Sequence, residues 1–210
     1  MLRFLFFIAI VRPFMFLWVG MNVRNTELLP KQGPALIAAN HNSHMDTLAL
    51  LSLFPIKQLK QVRAVAAADY FLANPIMRFI ALELIGILPI ERTPKDRTSD
   101  PVSKINEALD AGQILIFFPE GTRGDPEQLS RFKKGLARLA ELRPQMPVIP
   151  VFLYGFGKVL PKGSFLPVPF FCDVFVGEAL SSFETRSKTM AEFESSLEAL
   201  SSRVSAPDWQ

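Results

Sequence analysis

The chain has 210 residues, 49% of them hydrophobic, which is enough for one well-filled domain and too few for a multi-span membrane protein. Its 23 basic and 20 acidic residues leave a formal charge of +3, an excess too small to point to nucleic acid but suited to an anionic lipid surface or substrate. Cys172 is the single cysteine, which excludes an intramolecular disulfide and fits a reducing compartment.

From Leu2 to Val23 the residues are nearly all apolar, interrupted by Arg3 and Arg12, with Pro13 following directly. The longest uncharged run, Pro13 to Val23, is 11 residues, against the roughly 20 that a spanning helix needs. Arg12 would lie near the middle of such a span, where a charge costs about 2.5–3.5 kcal/mol on the insertion scale. The pattern predicts an interfacial or shallowly inserted segment kinked near Pro13, with Trp18 at headgroup level. No small-x-small site follows it to favour a cleaved signal peptide. The competing reading is a helix that covers the domain's own core.

Pro30 to Pro34 read as a turn, Ala35 to Ala39 as a buried strand, and Met45 to Phe54 as an apolar helix stopped by Pro55. Gln61 to Ala66 read as a strand and Tyr70 to Leu84 as helical, with Pro75 acceptable only near a helix start. Gly86 to Ile90 are a short strand, Val102 to Ala111 an amphipathic helix, and Gln113 to Phe118 the clearest strand. A helix over Lys133 to Leu142, strands over Pro147 to Leu153 and Cys172 to Val176, and a polar helix over Lys188 to Val204 complete the chain. Strands alternating with helices predict an α/β fold, a mostly parallel sheet flanked by helices. Gly155 to Phe171 is a proline- and glycine-punctuated loop whose tail is strongly apolar. That tail fits contact with lipid, an acyl pocket, or simple cover over the core.

Chemistry is concentrated at strand ends. Asn40-His41-Asn42-Ser43-His44-Met45-Asp46 stands between a strand and a helix. In one continuous helix, side chains five apart diverge, so His41 and Asp46 meet only if His41 precedes the helix. Ser43 makes that possible, because Ser43-x-x-Asp46 is a capping-box pattern. A histidine so placed can take a proton from a hydroxyl, and a carboxylate on its other nitrogen fixes the tautomer. The positive end of the helix favours the neutral ring. Three alternatives compete. Asp46 is only a cap and His41 only a turn residue; His41, His44 and Asp46 hold a metal; or Ser43 is a nucleophile, although no Gly-x-Ser-x-Gly elbow surrounds it.

Gly86-Ile87-Leu88-Pro89-Ile90-Glu91-Arg92 and Phe118-Pro119-Glu120-Gly121-Thr122-Arg123 also follow strands. In the latter, Gly121 permits close backbone approach, Thr122 donates a hydrogen bond and Arg123 forks onto phosphate. Arg131, Lys133, Lys134 and Gly135 come next, before a helix. A solvated arginine and an ordinary turn are the plain alternatives at each place. In a parallel sheet all three motifs reach one edge, the edge at which ligands bind.

Taken in order, Asn-His-x-Ser-x-x-Asp (40–46), Gly-x-x-x-Ile-x-Arg (86–92), Phe-Pro-Glu-Gly-Thr-Arg (118–123), Phe-Lys-Lys-Gly (132–135) and Val-Ile-Pro-Val (148–151) resemble the lysophosphatidic acid acyltransferase family. The likeness runs over roughly residues 30–180, and the ordered set is specific where each piece alone is weak. One departure is Leu88-Pro89, where the family more often has a bulky aromatic before the isoleucine. The resemblance implies His41 and Asp46 as the catalytic pair, and Arg92, Glu120, Gly121, Thr122 and Arg123 as acceptor-binding residues. It implies transfer of an acyl group from acyl-CoA or acyl carrier protein to the sn-2 hydroxyl of lysophosphatidic acid, with no metal and no cofactor beyond the thioester. Residues 1–29 would then be a membrane-associating segment and 30–210 the acyltransferase domain, on the cytoplasmic face of a membrane. The rivals are the same chemistry on another lysolipid, such as a lyso-ornithine lipid, a metal-dependent lipid hydrolase, and a non-catalytic lipid-binding protein.

Overall fold

The computed structural model describes residues 1–91, 100–124, 132–160, 166–180 and 185–204. In chain order the elements are α1 (Leu2–Phe6), β1 (Asn22–Arg24), β2 (Ala35–Ala39), α2 (Met45–Ser52), β3 (Val62–Ala67), α3 (Ala68–Phe71), α4 (Pro75–Phe79), β4 (Leu88–Ile90), α5 (Pro101–Asp110), β5 (Ile114–Phe117), α6 (Gly135–Leu142), β6 (Val148–Tyr154), α7 (Phe156–Val159), β7 (Asp173–Val176) and α8 (Arg186–Ser201). The strands form one seven-stranded sheet in the order β1-β7-β6-β2-β5-β3-β4. Helices cover both faces, so the α/β architecture holds.

The sheet is mixed, which corrects the expected mostly parallel arrangement. β7 runs antiparallel to β6, and β1 pairs parallel with β7, so these two strands oppose β2–β6. The reason lies in the connection. A parallel return needs a crossover over a sheet face, usually with a full helix. Between β6 and β7 the described residues offer only the four-residue α7. Strand β1 was not expected; three residues at a sheet edge leave no periodic pattern to read.

Strand β2 is buried along its whole length, as a continuous Ala-Leu-Ile-Ala-Ala run predicts for a strand covered on both faces. Its alternation divides the core. Ala35, Ile37 and Ala39 point into one layer with α2 and the N-terminal segment, whereas Leu36 and Ala38 point into the other with α5, α6 and α8.

The N-terminal segment belongs to the first layer. Phe7, Val11, Met15 and Val19 are buried, a repeat of four residues. An ordinary α-helix at 3.6 residues per turn would rotate this stripe off the core. Wide, i→i+5-bonded turns over Phe7–Val11 and Phe14–Trp18 keep it in place, with Pro13 between them at helical dihedrals. Both arginines turn inward. The Arg12 guanidinium donates to the carbonyls of Ser52 and Phe54, satisfying the C-terminal end of α2. Arg3 donates to Leu59 O at 2.6 Å and Val62 O at 3.0 Å. Burial, with Arg63 nearby, lowers the Arg3 guanidinium to about 10, still charged at neutral pH. Among the described residues no helix is long and apolar enough to cross a membrane.

The helix expected over 70–84 divides in two. Asn74 caps α4, its side-chain oxygen accepting from Ile76 N at 2.8 Å, with Pro75 in the first turn where its missing N–H costs nothing. The helix continues in a wide turn to Ile85 and stops at Gly86, whose φ of +74° is left-handed. A Cβ at Gly86 would stand 2.5 Å from Arg3 Cζ, so this glycine also gives the N-terminal arginine its passage.

Candidate active site

The parallel registers of β2 with β5 and β6, and of β3 with β5 and β4, bring the ends of these five strands to one edge. The two turns that carry the candidate residues leave β2 and its neighbour β5 there. Asn40 anchors the first. Its side chain donates to Leu153 O at 2.9 Å and accepts from Leu153 N at 2.7 Å, clamping the end of β2 to β6. Sequence reading assigned this residue no role, since a double backbone clamp across strands has no local signature.

Asp46 sits in the first turn of α2, and its side chain is 0% exposed, against 16% for His41. One carboxylate oxygen, Oδ2, meets His41 Nδ1 at 2.9 Å, Asn42 N at 2.7 Å and Ser43 N at 2.8 Å. The expected turn ahead of the helix is therefore present, with His41 folded back onto Asp46. Half of the capping box is present as well. Asp46 reaches back to Ser43 N, while the Ser43 hydroxyl accepts from Met45 N at 3.3 Å rather than from the third residue on. That hydroxyl also donates to Leu160 O at 3.3 Å. Because an ionised carboxylate only accepts, Nδ1 is the donor of this pair, and in the neutral ring the other nitrogen keeps its lone pair.

Glu120 does not open toward solvent. It is buried, and its Oε1 accepts from His41 N at 3.0 Å. Gly124 N in turn donates to His41 O at 2.9 Å. Both backbone groups of His41 are thus held by the turn after β5. Phe118 supports the ring itself, stacked at 4.1 Å between centroids and 19° between planes. Neither hold was anticipated, although both residues lie in a motif that the sequence singled out.

Gly121 has φ +71°, and a Cβ there would meet Lys133 Nζ at 2.7 Å, so the lysine lies across the glycine. Lys133 N donates to Pro119 O at 2.8 Å, which brings the second basic segment beside this turn. Thr122 is exposed and Arg123 half-buried. Arg92 lies outside the described residues, although β4, which leads to it, ends at the same edge. His44 stacks on Tyr70 at 5.6 Å, with the Tyr70 hydroxyl 3.3 Å from its Nε2. Burial first, then the charges of Arg123 and His41, lower His44 to about 4 despite Asp46, so it is neutral near pH 7. Among the described residues, no three His, Cys, Asp or Glu side chains gather as a metal site.

Comparison with known proteins places the chain in a family and gives its fold a solved counterpart. A sequence-family profile described as Acyltransferase matches residues 20–154. A chloroplastic 1-acyl-sn-glycerol-3-phosphate acyltransferase of Arabidopsis thaliana is 33% identical over 144 residues, covering 68% of this chain and 38% of the plant protein. A 1-acyl-sn-glycerol-3-phosphate acyltransferase of Pseudomonas aeruginosa is 28% identical over 186 residues, 88% of this chain and 68% of its own length. The chain spans about two fifths of the length of the plant relatives it matches. In fold it is similar to the crystal structure of a 1-acyl-sn-glycerophosphate acyltransferase from Thermotoga maritima. The TM-score is 0.71 at 22% identity, covering 93% of this chain and 79% of that one.

Proposed function

The chain belongs to the acyltransferase family, and from that premise we propose that it transfers a fatty acyl group from acyl-CoA or acyl carrier protein to the sn-2 hydroxyl of lysophosphatidic acid, giving phosphatidic acid. One observation carries the mechanism: the buried Asp46 Oδ2 that holds His41 Nδ1 at 2.9 Å. The free ring nitrogen takes the proton of the acceptor hydroxyl as its oxygen attacks the thioester carbonyl. Asp46 stabilises the imidazolium as it forms. The tetrahedral adduct collapses with a new C–O bond, the C–S bond breaks, and the imidazolium returns its proton to the thiolate. No acyl-enzyme is required. Ser43 is fully buried and its hydroxyl is engaged with Leu160 O and Met45 N, while the Cys172 thiol is buried and turned to the Phe170 carbonyl.

Arg123, with Arg92, binds the acceptor phosphate, and Gly121 and Thr122 shape the turn that receives it. Glu120 acts as a positioning residue through the His41 backbone. Membrane contact is supported by the outer face of the N-terminal segment, where Leu2, Leu5, Ile8, Ile10, Leu17 and Trp18 are exposed. The reading puts the protein on the cytoplasmic face, where thioester donors are available.

The test is the purified chain with a panel of thioesters and lysolipids, products identified by mass spectrometry. Phosphatidic acid formed from lysophosphatidic acid, and absent with His41→Ala, is the expected result. Absence of thioester consumption, or wild-type turnover in His41→Ala, overturns the mechanism. Equal turnover on a phosphate-free lysolipid moves the acceptor to that class.

A further inference from the structure

The loop Leu166 to Phe171 reads Leu-Pro-Val-Pro-Phe-Phe and shows its side chains to solvent, Leu166 at 78% and Phe171 at 82% exposure. Three of its six backbone positions offer no free N–H. Pro167 and Pro169 have no N–H, and Val168 N is already bonded to Val159 O at 2.8 Å. Unmet N–H and C=O groups make it costly for a backbone to leave water, so this loop suits the interface, with its side chains in the apolar phase and its carbonyls at headgroup level. It adjoins the N-terminal segment. A Cβ at Gly20 would lie 3.0 Å from Phe171 Cδ1, two residues after the exposed Trp18. Lys158, on α7, rests its ammonium 4.9 Å from the Phe170 ring and 5.2 Å from the Tyr154 ring. A cation lying on aromatic rings beside exposed apolar side chains matches the level of lipid phosphates over acyl chains.

We propose that Leu166 to Phe171 is a second lipid-inserting element, which seats the Trp18 end of the N-terminal segment and this loop together in an anionic phospholipid surface with Lys158 at phosphate level. Its reach extends to the active site. Val168 is bonded to Val159; the next residue, Leu160, accepts from the Ser43 hydroxyl at 3.3 Å; and Ser43 N donates to Asp46. Two hydrogen bonds and one short stretch of chain therefore separate the lipid-contacting loop from the turn that holds His41. An acceptor drawn from the bilayer would meet His41 without leaving the surface. The purpose of the element rests on the lipid-acceptor reading above; its existence does not.

The experiment is co-sedimentation of the full chain with phosphatidylglycerol vesicles and with phosphatidylcholine vesicles. It is paired with turnover on a vesicle-embedded acceptor and on a short-chain lysolipid below its critical micelle concentration. Both substituted side chains are exposed, so Leu166→Ser/Phe171→Ser folds, and Phe171→Trp serves as the conservative control. The double variant is expected to lose vesicle partition by about tenfold or more and to lose turnover on the embedded acceptor, while keeping turnover on the soluble one. Phe171→Trp should retain all three, and Lys158→Gln should lose only the preference for phosphatidylglycerol. Unchanged partition in the double variant overturns the proposal. So does a self-association of the wild type that the double variant abolishes without affecting vesicle binding, which would assign the loop to a second copy of the chain. If no thioester is consumed on any acceptor while vesicle binding still depends on the loop, the functional reading fails and the lipid-inserting element stands.

Discussion

Two turns leave neighbouring strands at the same sheet edge and are built in opposite ways. The turn over 40–46 is closed: Asn40, Asn42, Ser43 and Asp46 are buried, and one carboxylate oxygen gathers three donors. The turn over 118–124 buries Phe118 and Glu120 as a brace for His41 but leaves Gly121 and Thr122 in solvent and Arg123 half-exposed. A general base needs one orientation and one tautomer, which buried hydrogen bonds supply. A site for a charged headgroup needs open, preformed donors. On the proposed mechanism, the first turn governs rate and the second governs affinity.

The sharpest way to break that division is at His41. His41→Ala should lower kcat by about 10²–10⁴-fold with little change in melting temperature, measured by steady-state kinetics and thermal unfolding. Asp46 should show both effects separately. Asp46→Asn keeps an oxygen for the three donors and removes the charge, so kcat should fall by about 10²-fold or more with the fold retained. Asp46→Ala leaves the buried N–H groups of Asn42 and Ser43 unmet and should also destabilise by about 2–4 kcal/mol, read by denaturant unfolding. A kcat effect without any difference in stability between the two variants would remove the claim that this turn is held by Asp46.

Much of this closed turn was legible in the sequence, because its logic is local. His41, Ser43 and Asp46 lie within six residues, and capping chemistry fixes how the chain must bend between them. Most strand and helix positions were legible for the same reason, as with the continuous apolar run of β2. What was hidden depends on contacts distant in sequence. Glu120 reads as an acceptor-facing carboxylate until the β2–β5 register places it under the His41 backbone. Arg3 and Arg12 read as charges that oppose a membrane span, which they do, but nothing local says that their partners are carbonyls of residues 52–62. The direction of β7 depends on whether a helix crosses the sheet, and a loop of prolines and phenylalanines does not announce that.

The open turn should respond in KM. On the proposed reading, Arg123→Ala removes a charge-assisted contact to the acceptor phosphate worth about 1.5–3 kcal/mol. It should raise KM for a phosphate acceptor by roughly 10–100-fold with kcat much less affected. The same substitution should leave a phosphate-free acceptor untouched. Gly121→Ala should act in the same direction but more weakly. It places a side chain at φ +71° and pushes on the movable end of Lys133, a strain of about 1–2 kcal/mol. If either variant lowered kcat and spared KM, the assignment of the two turns would be reversed.

The smallest effect lies at His44, in the first turn on the side that feels Arg123. Its pKa is lowered from 6.5 to about 4 by burial and by the charges of Arg123 and His41, with Asp46 opposing. An unfolded chain takes up this proton near pH 6.5, whereas the folded chain takes it up only near pH 4. The neutral ring thus contributes stability that is complete above about pH 6.5, declines as pH falls, and is gone below about 4. Solvent reaches part of the ring, so the effect is modest. His44→Phe keeps the stack on Tyr70 and removes the titration. The melting temperature of the wild type should therefore fall more steeply between pH 6.5 and 4 than that of the variant, with the carboxylates contributing equally to both curves. Parallel curves would mean that His44 stays hydrated enough to titrate normally, and that the closed character of the first turn ends at Ser43 instead of extending to the ring beside Arg123.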